Sequence, residues 1–401
     1  MANLLELAIP ENCCDIVLLQ HVQTDQAGRH MKKIAYVANE PAPYRIPALN
    51  RLAVASDISL HVIFCCEREP NREWNLPPMN FACTYLRERI TTINGRYIHN
   101  NPDVLPILKR LAPDVVVTGG FNPTHLYSFA YALLKRVAHI AMTDGTFDSE
   151  KNLSAVHRVV RRFVYAKSAA FIAASNGGKK LFDSYGIPES HCFQACLCVE
   201  NGNYYPVDND QERPFDFIFC GRIEAVKNPF YALDVARRVA KHLGRKVRIL
   251  FVGGGSLEAE VRKSASMSAD LLDATFNGFA LQHELPALYR SAKLFIFPTL
   301  WDPWGVVANE ACAAGLPVLV SPHAGVAGEL IRDGENGFIC ELDADLWADR
   351  AALLLSKPDI YCAFSQRSRT LVTNFTPDAA SAGMMAACRF AVTQQHTSHA
   401  R

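Results

Sequence analysis

Short apolar runs alternate with longer amphipathic stretches along most of the chain. In the first half the runs are strand-length, rich in Val and Ile, and several end in Gly, Asn or Ser. Buried parallel strands that are each followed by a loop and a helix show this pattern. The alternation predicts a doubly wound α/β domain over residues 31–205. Its runs are IAYVA (34–38), LHVIFC (60–65), DVVVTGG (114–120), HIAMTDG (139–145) and AAFIAAS (169–175).

The alternation breaks in the polar stretch VENGNYYPVDNDQERP (199–214) and then restarts. Clusters of Gly, Asn, Asp and Pro between periodic segments are typical of a linker. A second Rossmann-like domain is therefore predicted over residues 206–375, with a cleft where the carboxyl ends of the two sheets face each other. Its runs are FDFIFCG (215–221), VRILFVGGG (247–255), ATFNGF (274–279), KLFIFPT (293–299), PVLVS (317–321) and GFICEL (337–342).

The two ends of the chain lie outside both predicted domains. Residues 1–30 show no clear period, and we interpret them as a loose extension or a non-native start before Met31. Residues 376–401 hold the Ala-rich stretch PDAASAGMMAACRFAV (377–392), which predicts a helix that packs back on the first domain, followed by a tail. A chain of 401 residues that is 49% apolar is long enough for two separate cores.

The distribution of charge and the hydropathy of the chain indicate where the protein is located and which partners it can bind. Residues 31–205 carry 20 Lys and Arg against 14 Asp and Glu, whereas residues 206–401 carry 20 against 22. Because no apolar run reaches the roughly 18 residues of a membrane span and residues 1–30 do not resemble a signal peptide, we expect a cytoplasmic protein. Nucleic acid is not an expected partner, since no aromatic-basic interleaving or helix-turn-helix signal accompanies the basic residues.

One basic amphipathic segment leaves two interpretations open. In VHRVVRRFVYAK (156–167), Val, Phe and Tyr are interleaved with Arg and Lys. Such a helix can lie on an anionic membrane surface, which would place the protein peripherally on the inner face of the membrane. The other interpretation is an ordinary helix that covers the sheet and turns a cationic face to solvent.

No metal or cofactor is expected. The 13 cysteines are odd in number and lie in apolar segments, which is typical of reduced core thiols. Cys192, Cys196 and Cys198 lie beside His191, but a second paired cluster of zinc ligands is lacking. Two Asp-x-Asp strings, 208–210 and 343–345, fit solvated turn acids better than a divalent-ion site.

The segment WDPWGVVANEACAAGLPVLVS (301–321) contains the most informative chemistry. Asp302 and Glu310 are eight positions apart across a Gly-bearing turn that leads into a helix. A helix N-terminus presents unpaired N–H groups, so the amides of Gly305, Val306 and Val307 are predicted to bind a diphosphate. Gly305 would allow close approach. One carboxylate is then free to face a sugar and the other a ribose, since both accept hydroxyl hydrogens.

Two further loops follow predicted strands. In GRIEAVKNP, Arg222 and Lys227 are placed to neutralise a diphosphate, although solvated surface charges are the other interpretation. The turn VGGGSLEAEV (252–261) lacks the third glycine of a dinucleotide fingerprint. Gly253 and its neighbours therefore either turn the chain beside a nucleotide or close a turn between strand and helix.

In order and spacing, these residues resemble the family 4 retaining glycosyltransferases of the GT-B fold, or group 1 glycosyl transferases. The similarity covers most of residues 215–340, and more loosely PAPYRIPALNRLA (41–53) and the linker. It rests on four features, namely Arg222 with Lys227, the Gly253 turn, Asn277-Gly278-Phe279, and the stretch from Asp302 through Glu310 to Pro317.

The resemblance implies a role for each matching residue. Arg222 and Lys227 would grip the donor diphosphate, Glu310 the ribose hydroxyls, and Asp302 the hydroxyls of the donor sugar. The backbone near Asn277 and Phe279 would contact the base. Family members usually have Glu where Asp302 stands, so the carboxylate is one methylene shorter here.

The predicted activity is retaining, metal-independent transfer of a hexosyl unit from a nucleoside-diphosphate sugar. The acceptor would be a glycan or lipid-linked saccharide in envelope or exopolysaccharide biosynthesis, and Asp144 is a candidate for orienting it. Two alternatives stay open. A GT-B sugar-nucleotide epimerase would turn over the donor without an acceptor, and a degenerate, non-catalytic transferase would act only as a binding partner.

Overall fold

The computed structural model describes residues 31–399 apart from residues 71, 73, 74, 94, 152 and 206–211. The predicted extension 1–30 and the Asp-x-Asp string 208–210 lie outside the described residues. Within the described part, no helix is long and apolar enough to cross a membrane.

The first domain is built on a seven-stranded sheet with the order β3-β2-β1-β6-β7-β8-β9, in which all neighbours are parallel. A two-stranded antiparallel hairpin, β4-β5, lies outside this sheet. The strands are β1 (Lys32–Ala38), β2 (Ile58–Phe64), β3 (Ala82–Tyr85), β4 (Ile90–Ile93), β5 (Arg96–His99), β6 (Val115–Thr118), β7 (Ala138–Thr143), β8 (Ala170–Ala173) and β9 (Cys192–Gln194).

Within the described residues, six α-helices lie along the chain between the first and the last strand of this sheet. Side-chain caps begin two of them, since the Ser154 hydroxyl accepts from the His157 N–H and the Ser175 hydroxyl from the Gly178 N–H. The helices are α1 (Ile46–Ala53), α2 (Val104–Leu111), α3 (Pro123–Lys135), α4 (Phe147–Glu150), α5 (Ala155–Lys167) and α6 (Asn176–Ser184).

The second domain has a six-stranded, all-parallel sheet with the order β12-β11-β10-β13-β14-β15. Its strands are β10 (Phe215–Cys220), β11 (Val247–Val252), β12 (Leu272–Gly278), β13 (Ala292–Phe297), β14 (Val318–Val320) and β15 (Gly337–Ile339). Its helices are α7 (Pro229–Leu243), α8 (Glu258–Ser266), α9 (Leu285–Arg290), α10 (Val306–Ala313), α11 (Ala344–Ser356) and α12 (Pro358–Val372).

The chain passes between the domains twice. The first passage contains a short 3₁₀ helix, Asn201–Asn203, and the second follows α12. The Asn201 side-chain amide donates to the carbonyls of Val372 and Phe375, which joins the two passages. The last helix, α13 (Pro377–His399), then packs against the first domain, where Met384 lies in the core and Arg389 pairs with Asp57.

The two predicted parallel sheets are confirmed, and each apolar run named above overlaps a strand. The prediction missed β3, the β4-β5 hairpin and β9. These strands are short and mostly half-buried or exposed. Their residues therefore do not form the continuous apolar runs that mark a strand covered on both faces.

Candidate functional site

A cleft of about 980 Å³ separates the two domains. The first domain lines it with α4 and the beginning of α6, and the second domain with residues 300–302 and 322–329. Among the site residues predicted from the sequence, Asp302 lies in the wall of this cavity. The other predicted residues do not line the cavity. Hydrogen bonds and ion pairs show which of them lie near Asp302.

Lys227 and Asp302 form an ion pair at the edge of the cleft, with both side chains largely buried. The other Asp302 carboxylate oxygen accepts from the Trp304 backbone N–H at 3.0 Å. The Leu300 N–H donates to the Val226 carbonyl at 2.8 Å, which ties the two segments together. The structure thus brings together one predicted diphosphate ligand and the predicted donor-sugar ligand.

Glu310 is held between two tyrosines. Its side chain lies on α10 and the residue is only 4% exposed. The Tyr204 hydroxyl donates to one carboxylate oxygen and the Tyr289 hydroxyl to the other, both at 2.8 Å. Burial raises the pKa of Glu310, and the two hydroxyl donors oppose that rise.

This arrangement leaves room for the predicted ribose contact without testing it. A carboxylate has about four acceptor sites. The tyrosines occupy two of them, and the Gln282 side-chain amide donates at 3.4 Å to the oxygen that Tyr204 also binds. Burial raises the pKa of Tyr204 above its ordinary value, and the Glu310 charge adds to that rise, so the hydroxyl stays a donor. Sequence reasoning missed both tyrosines, because neither lies in a motif with Glu310.

Gly305 is the N-cap of α10, in the left-handed region at φ 107°. A Cβ atom there would overlap the Phe297 ring, so this position requires glycine for local packing. Val306 and Val307 form the first turn of the helix, where backbone N–H groups have no partner within the helix. Their predicted role as diphosphate donors is compatible with this position.

The glycine turn after β11 supports the loop that contains Arg222. The Ile223 N–H donates to the Gly254 carbonyl at 2.8 Å. A Cβ atom on Gly253 would overlap the Gly221 carbonyl, and one on Gly255 the Ile223 carbonyl. The glycine turn therefore packs closely against the loop after β10, on which Arg222 is exposed, and both interpretations of the turn stay open.

Asn277 and Phe279 lie at the carboxyl end of β12, the edge strand of the second sheet. The Gly253 N–H donates to the Gly278 carbonyl at 2.7 Å, which joins this end to the glycine turn. Asn277 is exposed, and the Phe279 ring is about half exposed. The predicted base contact and the Arg222 loop therefore belong to one continuous surface.

Asp144 follows β7, and its side chain is 43% exposed. Arg45, which is only 6% exposed, extends from the loop after β1 and pairs with the Asp144 carboxylate. The same guanidinium donates to the Ala195 carbonyl at 3.1 Å. The stretch PAPYRIPALNRLA (41–53) contributes to the family resemblance, but its pattern gives Arg45 no role. The only feature that could have indicated a role for Arg45 is its position just after the first strand.

Glu329 joins the two domains across the cleft. One of its carboxylate oxygens accepts from the Asn176 backbone N–H at 2.8 Å, and the other accepts from the Gln194 side-chain amide. Burial raises the pKa of Glu329, while the charges of Lys179 and Lys180 oppose the rise. Its sequence position, eight residues past the run PVLVS (317–321), gave no indication of this contact.

The cysteines and the histidine around residues 191–198 do not form a metal site in the described residues. Cys196 and Cys198 are buried in the core, and the His191 ring contacts the Phe390 ring at 4.9 Å. Throughout the described ranges, no group of three or more His, Cys, Asp or Glu side chains is placed to hold a metal ion. Asp343 caps α11 by accepting from two backbone N–H groups, which agrees with a turn acid.

Residues 205–371 match the family described as "Glycosyl transferases group 1". A curated relative is the D-inositol 3-phosphate glycosyltransferase of Rhodococcus erythropolis, with 26% identity over 275 residues. The match covers 62% of this chain and 61% of that relative. The chain therefore spans about three fifths of the length of that curated relative.

Solved structures share the fold. A glycosyltransferase from Rickettsia africae superposes with a TM-score of 0.70 at 16% identity, covering 90% of this chain and 99% of that one. The HepE protein of Anabaena, solved in complex with UDP and glucose, gives a TM-score of 0.67 at 14% identity, covering 89% and 99%. The predicted GT-B architecture, with two facing Rossmann-like domains, is confirmed.

Proposed function

We propose that this chain is a group 1 glycosyltransferase, because residues 205–371 match that family, and that it is a retaining, metal-independent hexosyltransferase. Its donor is a nucleoside-diphosphate sugar, and its acceptor is a glycan or lipid-linked saccharide in envelope or exopolysaccharide biosynthesis. The observation that carries the proposal is the contact between Lys227 and Asp302 at the edge of the interdomain cleft.

On the donor side, breaking the bond between sugar and phosphate builds negative charge on the diphosphate. Arg222, Lys227 and the amides of Val306 and Val307 supply positive charge and N–H donors, which stabilise the transition state more than the ground state. An ammonium group has three hydrogens, so Lys227 can keep its contact with Asp302 while it donates to a phosphate oxygen. These groups supply the charge that a metal would otherwise provide.

The remaining donor contacts follow the resemblance. Asp302 accepts from the donor-sugar hydroxyls, Glu310 from the ribose hydroxyls, and the backbone near Asn277 and Phe279 contacts the base. Asp144, held by Arg45, orients the acceptor hydroxyl. Attack on the face that the diphosphate leaves gives retention of configuration.

A thermal-shift screen with UDP-, GDP-, ADP- and TDP-sugars tests the donor assignment, because a ligand of the folded state raises the melting temperature. We expect a shift with at least one donor, and sugar transfer when a glycan acceptor is added. Donor turnover without an acceptor would instead indicate an epimerase. Binding without turnover would indicate a degenerate transferase, and no shift with any donor would contradict the proposal.

Arg222→Ala tests the diphosphate grip. We expect a loss of roughly a hundredfold or more in kcat/KM for the donor, because one charge-stabilising donor is removed from the transition state. Arg248→Ala is the matched control, since Arg248 is also an exposed arginine of the second domain and lies on β11. Near-normal transfer by Arg222→Ala would contradict its assignment.

We also propose that α5 lies on an anionic membrane surface. Val156, Val159 and Phe163 are each more than half exposed, although their spacing places them on one side of the helix. Arg158 and Arg162 are exposed between them. A helix that only covered the sheet would bury these apolar side chains, whereas an interfacial helix inserts them between lipid headgroups.

Vesicle sedimentation tests this proposal. We expect binding to vesicles that contain phosphatidylglycerol, weaker binding to pure phosphatidylcholine, and loss of binding in Val159→Ser/Phe163→Ser. Val54→Ser is the control, because Val54 is an exposed valine at the end of α1, outside α5. Unchanged sedimentation of the double variant would contradict a role for α5.

A further inference from the structure

Trp301 presents a large apolar ring to the interdomain cleft. The residue is 40% exposed and lines the cavity, whereas Trp304 and Trp347 are fully buried. Its backbone is held on both sides, because the Thr299 hydroxyl donates to the Trp301 carbonyl at 3.0 Å and the Asp302 N–H donates to the His323 carbonyl at 3.2 Å. The exposed ring therefore belongs to an ordered segment and is not the result of a loose loop.

A second aromatic ring lines the same cavity from the other domain. Phe147 begins α4 and is 53% exposed. Exposed aromatic side chains that share a concave site mark a binding surface, since burying them against a ligand gains free energy. Because Phe147 belongs to the first domain, this part of the cleft lies between the donor domain and the domain assigned to the acceptor.

Polar groups surround the two rings. Lys179 and Asp183 lie one turn apart on α6 and line the cavity, as does Thr146. They supply hydrogen-bond donors and acceptors beside an apolar surface. An aliphatic ligand would leave these groups unpaired, whereas a sugar ring offers apolar C–H groups on its face and hydroxyls around its edge.

We infer that Trp301 and Phe147 form a platform for a saccharide ring of the acceptor, with Lys179, Asp183 and Thr146 contacting its hydroxyls. The inference rests on the proposed function, and it assigns the sugar ring of the acceptor to the part of the cleft that Trp301 and Phe147 line. Trp301 precedes Asp302 directly, so a sugar on this platform lies next to the residue assigned to the donor sugar.

Tryptophan fluorescence tests binding without any donor. A Trp74→Phe background removes the tryptophan that lies outside the described residues, which leaves Trp301 as the exposed tryptophan of the described chain. The probes are methyl glucoside, methyl galactoside, methyl N-acetylglucosaminide, maltose and cellobiose, with glycerol and decyl phosphate as ligands without a sugar ring. We expect at least one saccharide to change the emission, and Trp301→Phe to lose that response.

Kinetics of transfer give the second readout. Trp301→Ala and Phe147→Ala should each raise the KM for the saccharide acceptor roughly tenfold. The KM for the donor and the rate of donor hydrolysis without acceptor should stay unchanged. Met267→Ala is the control, because Met267 is an exposed apolar residue of the second domain outside the cleft lining.

Several results would overturn the inference. They are a response to decyl phosphate alone, no response to any saccharide, a response that persists in Trp301→Phe, or a change in donor KM in place of acceptor KM. If the nucleotide-sugar thermal shift persists in any of these cases, the proposed function stands and only the platform fails. If saccharides bind but no nucleotide-sugar raises the melting temperature, the platform stands and the proposed donor assignment fails.

Discussion

At the scale of single residues, Glu310 combines a predicted binding role with a buried charge. Its carboxylate is shielded from water, and the hydroxyls of Tyr204 and Tyr289, with a longer hydrogen bond from the Gln282 side-chain amide, replace full solvation. Burying a charge is costly even when hydrogen bonds compensate in part. A functional carboxylate at this position therefore lowers the stability of the fold, as residues in binding sites often do.

Glu310→Gln should change how stability depends on pH. Because the pKa of Glu310 is raised in the folded state, that state binds its proton more tightly than the unfolded chain. The wild type therefore loses stability as pH rises from the ordinary carboxyl pKa through the raised value, by up to about 1.4 kcal/mol per pH unit. Glutamine does not titrate, so that loss should be absent.

The measurement is the melting temperature of both proteins across acidic to neutral pH. We expect the difference between variant and wild type to grow in favour of the variant as pH rises, while donor affinity falls. Glu335→Gln is the control, since Glu335 is an exposed carboxylate paired with Arg367. A constant difference between Glu310→Gln and wild type at all pH values would contradict this account.

Arg45 acts through Asp144. Arg45→Lys keeps a charge but loses the planar group that reaches both the Asp144 carboxylate and the Ala195 carbonyl. We expect kcat to fall roughly tenfold with little change in donor KM, since the misplaced carboxylate is the one proposed to orient the acceptor. Arg389→Lys serves as the control, because Arg389 pairs with Asp57 on the exposed surface. Equal rates in wild type and Arg45→Lys would exclude the positioning role.

At the scale of elements, the loop after β10 depends on the turn after β11. Gly255→Ala would place a methyl group against the Ile223 backbone, whereas Gly254→Ala would meet only the flexible end of Glu258 at 3.6 Å. We expect Gly255→Ala to cost about 1–3 kcal/mol of stability and to raise the donor KM by displacing Arg222. Gly254→Ala is the matched control and should be nearly neutral.

Chemical denaturation and donor kinetics of the two alanine variants give the comparison. If both variants were equally mild, the close packing between the turn and the Arg222 loop would not be needed for donor binding. If both were equally harmful, the turn itself, and not its contact with Ile223, would be the sensitive feature.

At the scale of the whole molecule, Glu329 of the second domain links the two domains through Asn176 and Gln194 of the first. Its loop is also bound to the donor-sugar segment, since the Gly325 N–H donates to the Asp302 carbonyl at 3.0 Å and the Val326 N–H to the Trp304 carbonyl at 3.0 Å. A contact at Glu329 therefore fixes the first domain relative to Asp302.

Glu329→Ala should open the cleft. Removing the carboxylate eliminates the hydrogen bonds from Asn176 and Gln194, so the domains lose a contact that restricts hinge motion. We expect a larger radius of gyration in small-angle X-ray scattering and a higher acceptor KM. Glu335→Ala, in the same domain, should scatter like the wild type. Identical scattering of Glu329→Ala would show that other contacts hold the cleft.

The sequence alone determined the two parallel sheets and the strand-to-helix segments that contain the predicted donor residues. These features follow from hydrophobic periodicity and from turn residues, both of which act over a few neighbouring positions. It missed the weakly apolar strands β3 and β9, because half-exposed strands lack a clear period.

Only the tertiary structure decided which side chains meet. Lys227 and Asp302 are 75 positions apart, Arg45 and Asp144 are 99 apart, and Tyr204 and Glu310 are 106 apart. The first two pairs form because parallel strands bring their carboxyl ends to one edge of a sheet, and the spatial order of strands differs from their order in the chain. Tyr204 reaches Glu310 because the first passage between the domains packs against α10. Local patterns thus specify the candidate residues, whereas sheet topology specifies their partners and hence the charge and orientation of the site.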